Sequence, residues 1–206
     1  MARLLLSIFV SLFIINPTNA GSLKNGNDAE EFIKVLGAEV LNLAQNNSFT
    51  AQGRQQEFGK LIDKGFDLPW IARFVLGRPW NSATFTEQKE YLRLFKKIIE
   101  LTYSKRFINY SQQRIVVTGH KLGKRKFIFV QSYLADLSHK KINPQVVWRL
   151  IPRRNSFKIV DVAIEGISMA ITQRNEYASV IQQNGGRLSA LLDAMRQQLQ
   201  KLEKIT

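Results

Sequence analysis

Few side chains in this sequence are of the types that perform acid–base, nucleophilic or metal chemistry. Asp161 and Glu165 are the candidates for acid–base work, and an enzyme using them would need one inside a cavity with a shifted pKa. His120 and His139 are the only two histidines and cysteine is absent, which excludes thiol catalysis and disfavours a zinc site. The sequence contains no Gly-x-Ser-x-Gly elbow and no His-Glu-x-x-His motif. Catalysis is therefore the weaker interpretation.

The elements that carry the two carboxylates favour structural positions for them. Asp161 lies in the strand-like run Phe157 to Ile164, and Glu165-Gly166 follows as a turn before an apolar segment and an amphipathic helix. A strand edge and a turn suit these residues better than a cavity interior.

The first twenty residues have the pattern of a secretory signal. Arg3 precedes an apolar run from Leu4 to Ile15, and a small residue, Ala20, stands at the predicted cleavage point. The run is too short to span a bilayer, which needs about 20 residues. We therefore expect residues 1–20 to be removed and residues 21–206 to form one domain without disulfides or a lipoprotein anchor.

The chain is strongly basic. Thirty Lys and Arg against sixteen Asp and Glu give a formal net charge of +14, which attracts anionic surfaces. After export, those surfaces are phospholipid headgroups, an acidic protein or lipopolysaccharide, whereas the signal argues against nucleic acid. The clusters Lys124–Lys126, Lys140-Lys141 and Arg153-Arg154 are predicted to be solvated turns, with a docking face for anionic membrane or partner as the second interpretation.

The first half of the sequence is predicted to be helical. Apolar residues from Phe32 to Ala44 follow helical spacing, with Asp28 as a candidate cap, and Phe58 marks a helix that ends near Gly65. A further helix is predicted at Asp67–Leu76, with Gly77 as its stop signal. Another is predicted to begin at the capping box at Thr84 and to run to about Asn109. The last carries two apolar stripes: Tyr91, Leu94, Phe95, Ile98 and Leu101, and Leu92, Phe95, Ile99, Tyr103 and Phe107. Two stripes indicate a fully buried helix or a wall shared between core and cavity.

Strand-like runs rich in β-branched and aromatic residues fill most of the second half. They are Ile115–Thr118, Phe127–Leu134, Val146–Ile151 and Phe157–Ile164, and their short links favour antiparallel hairpins. Two closing helices follow, at Asn175–Gln183 and from Leu188 to Leu202. The predicted fold class is α+β, a curved four-stranded antiparallel sheet with about six or seven helices packed against it. Such a junction can be solid or can enclose an apolar cavity.

Several motifs, in this order, resemble the MlaC family of periplasmic phospholipid-binding proteins, also called toluene-tolerance auxiliary proteins. Phe66–Trp80 is similar to the aromatic-Asp block and short helix of that family, and Glu165–Ser168 to its Glu-Gly-Val/Ile-Ser turn. Further matching positions are Thr84, Gln88, Phe95, Tyr103, Phe157 to Val162, Arg174 and Tyr177. The similarity covers nearly all of residues 29–200.

The resemblance implies a lipid carrier and not an enzyme. It implies a helix-plus-sheet fold with a deep apolar cavity for phospholipid acyl chains, the headgroup lying near the surface, and lipid as cargo without a cofactor or metal. It also implies a periplasmic location and two partners, an outer-membrane lipoprotein complex and an inner-membrane ABC transporter with an MCE subunit. The carrier would thereby maintain outer-membrane lipid asymmetry. The hopanoid-associated branch has the same architecture and is the alternative.

The predicted lipid-lining residues are apolar or aromatic and come from both layers. They are Trp70, Phe74, Phe95, Ile99, Tyr103 and Phe107 from the helices, and Val117, Phe129, Trp148, Val162, Ile167 and Met169 from the sheet and its exit. Ordinary core packing is an equal interpretation for each, and Trp70 and Tyr103 are expected to place a polar tip at the mouth.

Three arginines are candidates for contact with the lipid phosphate, since guanidinium binds phosphate bidentately. They are Arg73, Arg78 and Arg174. Salt bridges from Arg73 or Arg174 to Asp67, Asp161 or Glu165 are the favoured alternative. A basic adhesion or nucleic-acid-binding module is a further alternative for the whole chain, and it predicts exposed aromatics beside basic residues.

Overall fold

A computed structural model describes residues 25–108, 113–136 and 142–204, and within these ranges it contains seven α-helices and one antiparallel sheet. The predicted α+β class is confirmed. The elements are α1 (Gly26–Gln45), α2 (Ala51–Gly65), α3 (Leu68–Leu76), α4 (Pro79–Ser82), α5 (Phe85–Ile108), β1 (Gln113–Leu122), β2 (Ile128–Asp136), β3 (Ile142–Pro152), β4 (Phe157–Ile164), β5 (Ile167–Ser168), α6 (Met169–Gln183) and α7 (Leu188–Lys204).

The helices begin at residues whose side chains accept hydrogen bonds from free backbone N–H groups. Asn25 caps α1. The predicted cap, Asp28, lies instead at the third helical position, where its carboxylate accepts a hydrogen bond from the Asn25 N–H. The capping box predicted for α5 is present, since Thr84 Oγ1 accepts from the Glu87 N–H at 3.3 Å and Glu87 Oε2 from the Thr84 N–H at 2.8 Å. The carboxylate of Asp67 caps α3.

The sixth helix starts earlier than its apolar spacing predicts. Ser168 Oγ accepts a 3.1 Å hydrogen bond from the Ile171 N–H and so begins α6 at Met169 instead of Asn175. The residues just before it pair with β4, Ile167 opposite Ile164 and Ser168 opposite Ala163. The predicted four-stranded sheet therefore gains a fifth, two-residue strand.

The five strands follow one another across the sheet in chain order, β1-β2-β3-β4-β5, and every neighbouring pair is antiparallel. Because each hairpin reverses the chain, the β1–β2 and β3–β4 turns lie at the same end of the sheet. The register shifts once in each of the first three pairs, which curves the strands.

The buried apolar residues form two clusters. One lies among the helices and includes Tyr91, Leu94 and Met195; the other lies between α1 and the sheet and includes Ile33 and Leu150. Phe66, at the end of α2, is partly buried and packs against both.

The two stripes of α5 have different environments. All members of the first stripe are buried, whereas in the second Leu92 and Ile99 are half-buried and Tyr103 is 41% exposed. One stripe therefore supplies the helical core, and the other leaves apolar surface that the described chain does not fully cover.

Candidate functional site

One line of side chains crosses all five strands on the same sheet face. The strand register pairs Val117 with Ser132, Ser132 with Val146, Val146 with Ile164 and Ile164 with Ile167. Directly paired residues in antiparallel strands project from the same face, so these five form one row, which we call the apolar row.

Exposure increases along the apolar row toward the sheet edge. Ser132 and Val146 are buried, Ile164 is 38% exposed and Ile167 is 61% exposed. In the adjoining row Trp148 and Val162 are paired and only half-buried. The row is therefore a continuous, mostly apolar strip that starts at half-buried Val117, passes through the buried Ser132 and Val146, and ends at an open edge.

The single polar side chain of the apolar row is satisfied by its neighbours. Ser132 Oγ donates to the Val146 carbonyl at 3.2 Å and accepts from Trp148 Nε1 at 2.9 Å. Because a buried polar atom without a partner is costly, these bonds keep the strip compatible with an apolar ligand. They also hold the orientation of the Trp148 ring.

Asp161 holds the open edge of the strip in place from the opposite sheet face. Its Oδ2 accepts from Ser168 Oγ at 2.7 Å, and its Oδ1 accepts from the Ala170 N–H at 3.1 Å. Arg149 Nη2 lies 3.3 Å from the same carboxylate as an ion pair. This 8% exposed carboxylate thus ties β5 and the start of α6 to β4, and thereby positions Ile167.

A separate cleft of about 480 Å³ lies where α2, α3 and α5 meet the β3–β4 turn. Its apolar wall consists of Phe66, Leu68, Pro69, Leu92 and Phe95. Its charged lining residues are Asp63, Asp67, Arg93, Lys96, Arg153 and Lys158.

Most of the cations lining the cleft are engaged within the protein. Lys96 Nζ donates to both carboxylate oxygens of Asp63 at 2.7 Å, and this hydrogen bonding raises the pKa of Lys96. Arg153 pairs with Asp67, and Lys158 donates to the carbonyls of Asp63 and Lys64 at the end of α2. The rim is therefore built of internal ion pairs and helix-terminus contacts.

The predicted lining residues of the sheet do not all share one face. Val117, Trp148 and Val162 lie on the face of the apolar row, together with Ile167. Phe129 pairs with Arg149, which pairs with Asp161, so its side chain belongs to the opposite face. A single compartment on one side of the sheet cannot include all of them.

Two of the predicted helical residues also belong to the opposite face. Trp70 and Phe74 stack with ring centroids 5.6 Å apart, and Trp70 contacts Phe127 edge-on at 6.4 Å. The guanidinium of Arg149 lies over the rings of Phe74 and Phe127, 5.9 and 5.3 Å from their centroids. These aromatics form a cation–π cluster that covers the Arg149–Asp161 pair.

The remaining predicted residues are distributed as follows. Phe95 is buried and lines the cleft, Ile99 and Met169 are half-buried, and Tyr103 is exposed. Phe107 lies in α5, but its side chain falls outside the described residues.

The three predicted headgroup arginines gather around the junction of α3 and α4. Arg73 lies over the Trp80 ring at 5.1 Å, Arg78 is the exposed residue before α4, and Arg174 Nη1 donates to the Phe74 carbonyl at 3.4 Å. A Cβ on Gly77 would lie 3.1 Å from the Arg174 guanidinium, so glycine permits this approach.

The salt bridges favoured for these arginines do not form with the expected partners. Asp67 pairs with Arg153 and Asp161 with Arg149. Glu165 accepts from the Gln145 N–H across the sheet. For Asp161 the error has a physical reason, because the strand register places Arg149 opposite it, and register is not visible in the sequence.

Sequence reasoning missed Ile164 and Val146 in the row and Phe66 in the cleft. Ile164 follows the predicted Val162 by two positions in an alternating strand, so period-2 counting would have found it. Phe66 stands in the motif block but outside any helix, and no local pattern distinguishes its position between the two clusters.

Neither a membrane-spanning helix nor a metal-binding cluster occurs among the described residues. No helix within 25–108, 113–136 and 142–204 is long and apolar enough to cross a bilayer. In the same ranges, no three or more His, Cys, Asp or Glu side chains converge in a way that would hold a metal ion.

Comparison with known proteins gives matches over most of the chain. The model of the family described as MlaC protein matches residues 34–197. The intermembrane phospholipid transport system binding protein MlaC of Haemophilus influenzae is 23% identical over 135 residues, 64% of this chain and 61% of that protein. The match thus spans less than two thirds of that relative's length.

A solved structure has the same fold. The phospholipid-binding protein from Ralstonia solanacearum, determined in complex with a phospholipid, aligns with a TM-score of 0.73 and 22% identity. The alignment covers 85% of this chain and 99% of that one. Both chains therefore have the same arrangement of helices and sheet.

Proposed function

The chain belongs to the MlaC family, and on this premise we propose that it binds phospholipid and carries it between membranes. The observation that carries the proposal is the apolar row, which runs from buried Val146 to exposed Ile167 without an unsatisfied polar group. The protein leaves this apolar strip partly uncovered, so an acyl chain can bind there. Binding is favourable because it removes apolar surface of the acyl chain from water.

The geometry favours a smaller lining than the sequence predicts. We propose that acyl chains contact Val117, Trp148, Val162, Ile164 and Ile167 on the face of the apolar row. Ile99, Tyr103, Phe107 and Met169 remain proposed neighbours, whereas Trp70, Phe74 and Phe129 pack on the other face and Phe95 faces the helical cluster and the cleft.

The headgroup is proposed to lie near the surface, with Arg73, Arg78 and Arg174 as candidate phosphate contacts. Arg73 and Arg78 are exposed, but Arg73 stacks on Trp80 and Arg174 donates to the Phe74 carbonyl, so we propose Arg78 as the main phosphate contact. Loss of the Arg78 charge would weaken binding of anionic headgroups more than binding of zwitterionic ones.

A carrier needs an affinity for lipid that nearly balances that of the membrane. At about 0.8 kcal/mol per buried methylene, a sixteen-carbon chain gains roughly 13 kcal/mol in the bilayer. An acyl chain on a partly open strip is only partly removed from water, so its binding free energy is smaller and its release is favoured. This is the energetic requirement of a carrier, and tight capture would prevent delivery.

We propose that the protein works in the periplasm after removal of residues 1–20. Its proposed partners are an outer-membrane lipoprotein complex and an inner-membrane ABC transporter with an MCE subunit, and the cycle would maintain outer-membrane lipid asymmetry. The family membership and the relative from Haemophilus influenzae support these assignments. Intact mass measurement of the exported protein tests the cleavage after Ala20.

Lipid extraction of the exported protein is the direct test. The protein is purified without detergent and extracted with organic solvent, and the lipids are identified and quantified by mass spectrometry. We expect phospholipid at a near-stoichiometric ratio. A hopanoid or another hydrophobic molecule in its place would move the assignment to the alternative branch. An empty protein that also takes up no phospholipid from vesicles would overturn the proposal.

A further inference from the structure

Two turns bring basic residues together at one end of the sheet. The β1–β2 turn carries Lys124, Arg125 and Lys126, and the β3–β4 turn carries Arg153 and Arg154. The topology places both turns at the same end, and strands two apart in a sheet are separated by about 10 Å. We call this surface, together with the final β1 residues Lys121 and Leu122, the cationic end.

The cationic end also exposes a large apolar side chain. Leu122, the last residue of β1, is 73% exposed and follows the exposed Lys121. Lys124, Arg125 and Lys126 are exposed as well. Leu122 thus lies within four residues in sequence of four exposed cations, and the fold leaves most of its apolar side chain in water, which costs free energy.

The turn that displays these side chains is held in a defined conformation. The Gly123 N–H donates to the Phe127 carbonyl at 2.8 Å, and the Phe127 N–H donates to the Lys124 carbonyl at 3.2 Å. Arg125 and Lys126 have φ values of 56° and 63°, a left-handed conformation that L side chains rarely adopt. Left-handed φ at both central residues is what a two-residue type I′ hairpin turn requires, so the hairpin itself explains this conformation and presents the two basic side chains in a fixed place.

Most of the positive charge at this end has no ion-pair partner among the side chains that the structure describes. Arg153 pairs with Asp67, and on the neighbouring helix Glu30 contacts His120. None of the carboxylates whose side chains the structure describes, a set that leaves out Asp136, lies within ion-pair distance of Lys121, Lys124, Arg125, Lys126 or Arg154.

We propose that the cationic end docks on the anionic phospholipid surface of a membrane, with Leu122 inserted between headgroups and the cations on phosphates. Basic residues near an anionic membrane surface and an apolar side chain that enters the interface are the two elements of peripheral binding. An acidic protein face would need a matching apolar pocket to cover Leu122, whereas the interface of a bilayer accepts an apolar side chain at any point. The membrane is therefore the occupant that both features fit.

The cationic end and the apolar row share no residue. Leu122 lies five residues along β1 from Val117 of the apolar row. Docking and lipid loading therefore involve different residues and are measured separately.

Partition of the exported full chain onto vesicles tests the proposal. Vesicles of pure phosphatidylcholine are compared with vesicles containing about one third phosphatidylglycerol, and bound protein is quantified by sedimentation. The test variants are K124Q/R125Q/K126Q and Leu122→Ser. At about 1 kcal/mol per cation, the triple variant is expected to bind the anionic vesicles roughly 100-fold more weakly. Leu122→Ser is expected to lose about tenfold.

The matched control removes three exposed lysines elsewhere, as K89Q/K201Q/K204Q, with the same change in net charge. Binding of this control close to that of the parent, with strong salt dependence for both, supports the proposal. Equal losses in the control and the test triple would overturn it, as would equal binding of the parent protein to both vesicle types. If Leu122→Ser bound the anionic vesicles like the parent, binding would be electrostatic alone, and the proposed insertion of Leu122 would be wrong. The lipid content of every variant, expected to be unchanged, is measured in parallel.

Discussion

The Ser168 hydroxyl donates a 2.7 Å hydrogen bond to Oδ2 of Asp161, and this contact fastens the fifth strand to the fourth. Ser168 also caps α6, so one serine joins a strand edge to a helix start. The exposed Ile167 precedes it by one residue and projects from the opposite sheet face. The geometry of the proposed lipid entrance therefore depends on a buried carboxylate that lipid does not need to touch.

Substitution of Asp161 by Asn is expected to destabilise the fold by about 3 kcal/mol, because it leaves the guanidinium of Arg149 without its counter-charge. Urea unfolding followed by far-UV circular dichroism measures the change. Ser168→Ala, which removes only a hydroxyl, is the comparison and is expected to cost about 1–2 kcal/mol. Equal stability of Asp161→Asn and the parent would show that the pair does not hold this edge.

Substitution of Ile167 by Glu is expected to reduce the phospholipid content of the purified protein at least tenfold while the fold is retained. The residue is mostly exposed, so the domain tolerates the charge, but a carboxylate facing acyl chains is unfavourable.

Phe85→Glu is the matched control, since Phe85 is an 80% exposed apolar residue at the start of α5, outside the apolar row. Both variants are compared by lipid mass spectrometry and thermal unfolding. Normal loading of Ile167→Glu, or equal loss in both variants, would remove Ile167 from the proposed entrance.

Substitution of Tyr91 by Phe is expected to lower the free energy of unfolding by about 1–2 kcal/mol at pH 7. The Tyr91 hydroxyl donates a 2.9 Å hydrogen bond to the Ala72 carbonyl between α5 and α3, and Phe would leave that buried carbonyl unpaired. Chemical denaturation measures the loss. A neutral result would mean that water or a local shift satisfies the Ala72 carbonyl.

Alkaline pH is expected to destabilise the protein through Tyr91 and Tyr177. Burial raises the pKa of both phenols above the ordinary value of about 10, so above that pH the unfolded state releases protons that the folded state retains. Stability contributed by each neutral phenol is thus complete below pH 10 and falls as pH rises further. With two tyrosines, the slope is about 2.7 kcal/mol per pH unit.

The alkaline slope is measured from urea unfolding at several values above pH 10. In the Tyr177→Phe variant, the part of this slope that comes from tyrosine is expected to fall by half, because one titrating group is removed from the unfolded state. An unchanged slope in this variant would show that other groups cause the alkaline loss.

Much of the fold can be predicted from local patterns. Helical spacing and the capping box at Thr84 locate α5, and alternation of β-branched residues locates β1 to β4. Capping side chains form hydrogen bonds with backbone groups a few residues away, and buried positions recur every 2 residues in strands and every 3.6 in helices. Both patterns involve residues close in the sequence, so they can be recognised from the sequence alone. The order of the motifs from Phe66 to Ser168 likewise predicts the family to which the chain belongs.

Only the tertiary structure determined which side chains share a face and which charges pair. Phe129 and Trp148 have similar strand patterns but lie on opposite faces, and Asp161 pairs with Arg149 instead of Arg174. These relationships depend on strand register and on bulges such as the one between Arg149 and Leu150. Register is set by pairing between residues far apart in the chain, because a shift by one residue exchanges the two faces of a strand, and no local periodicity encodes that choice.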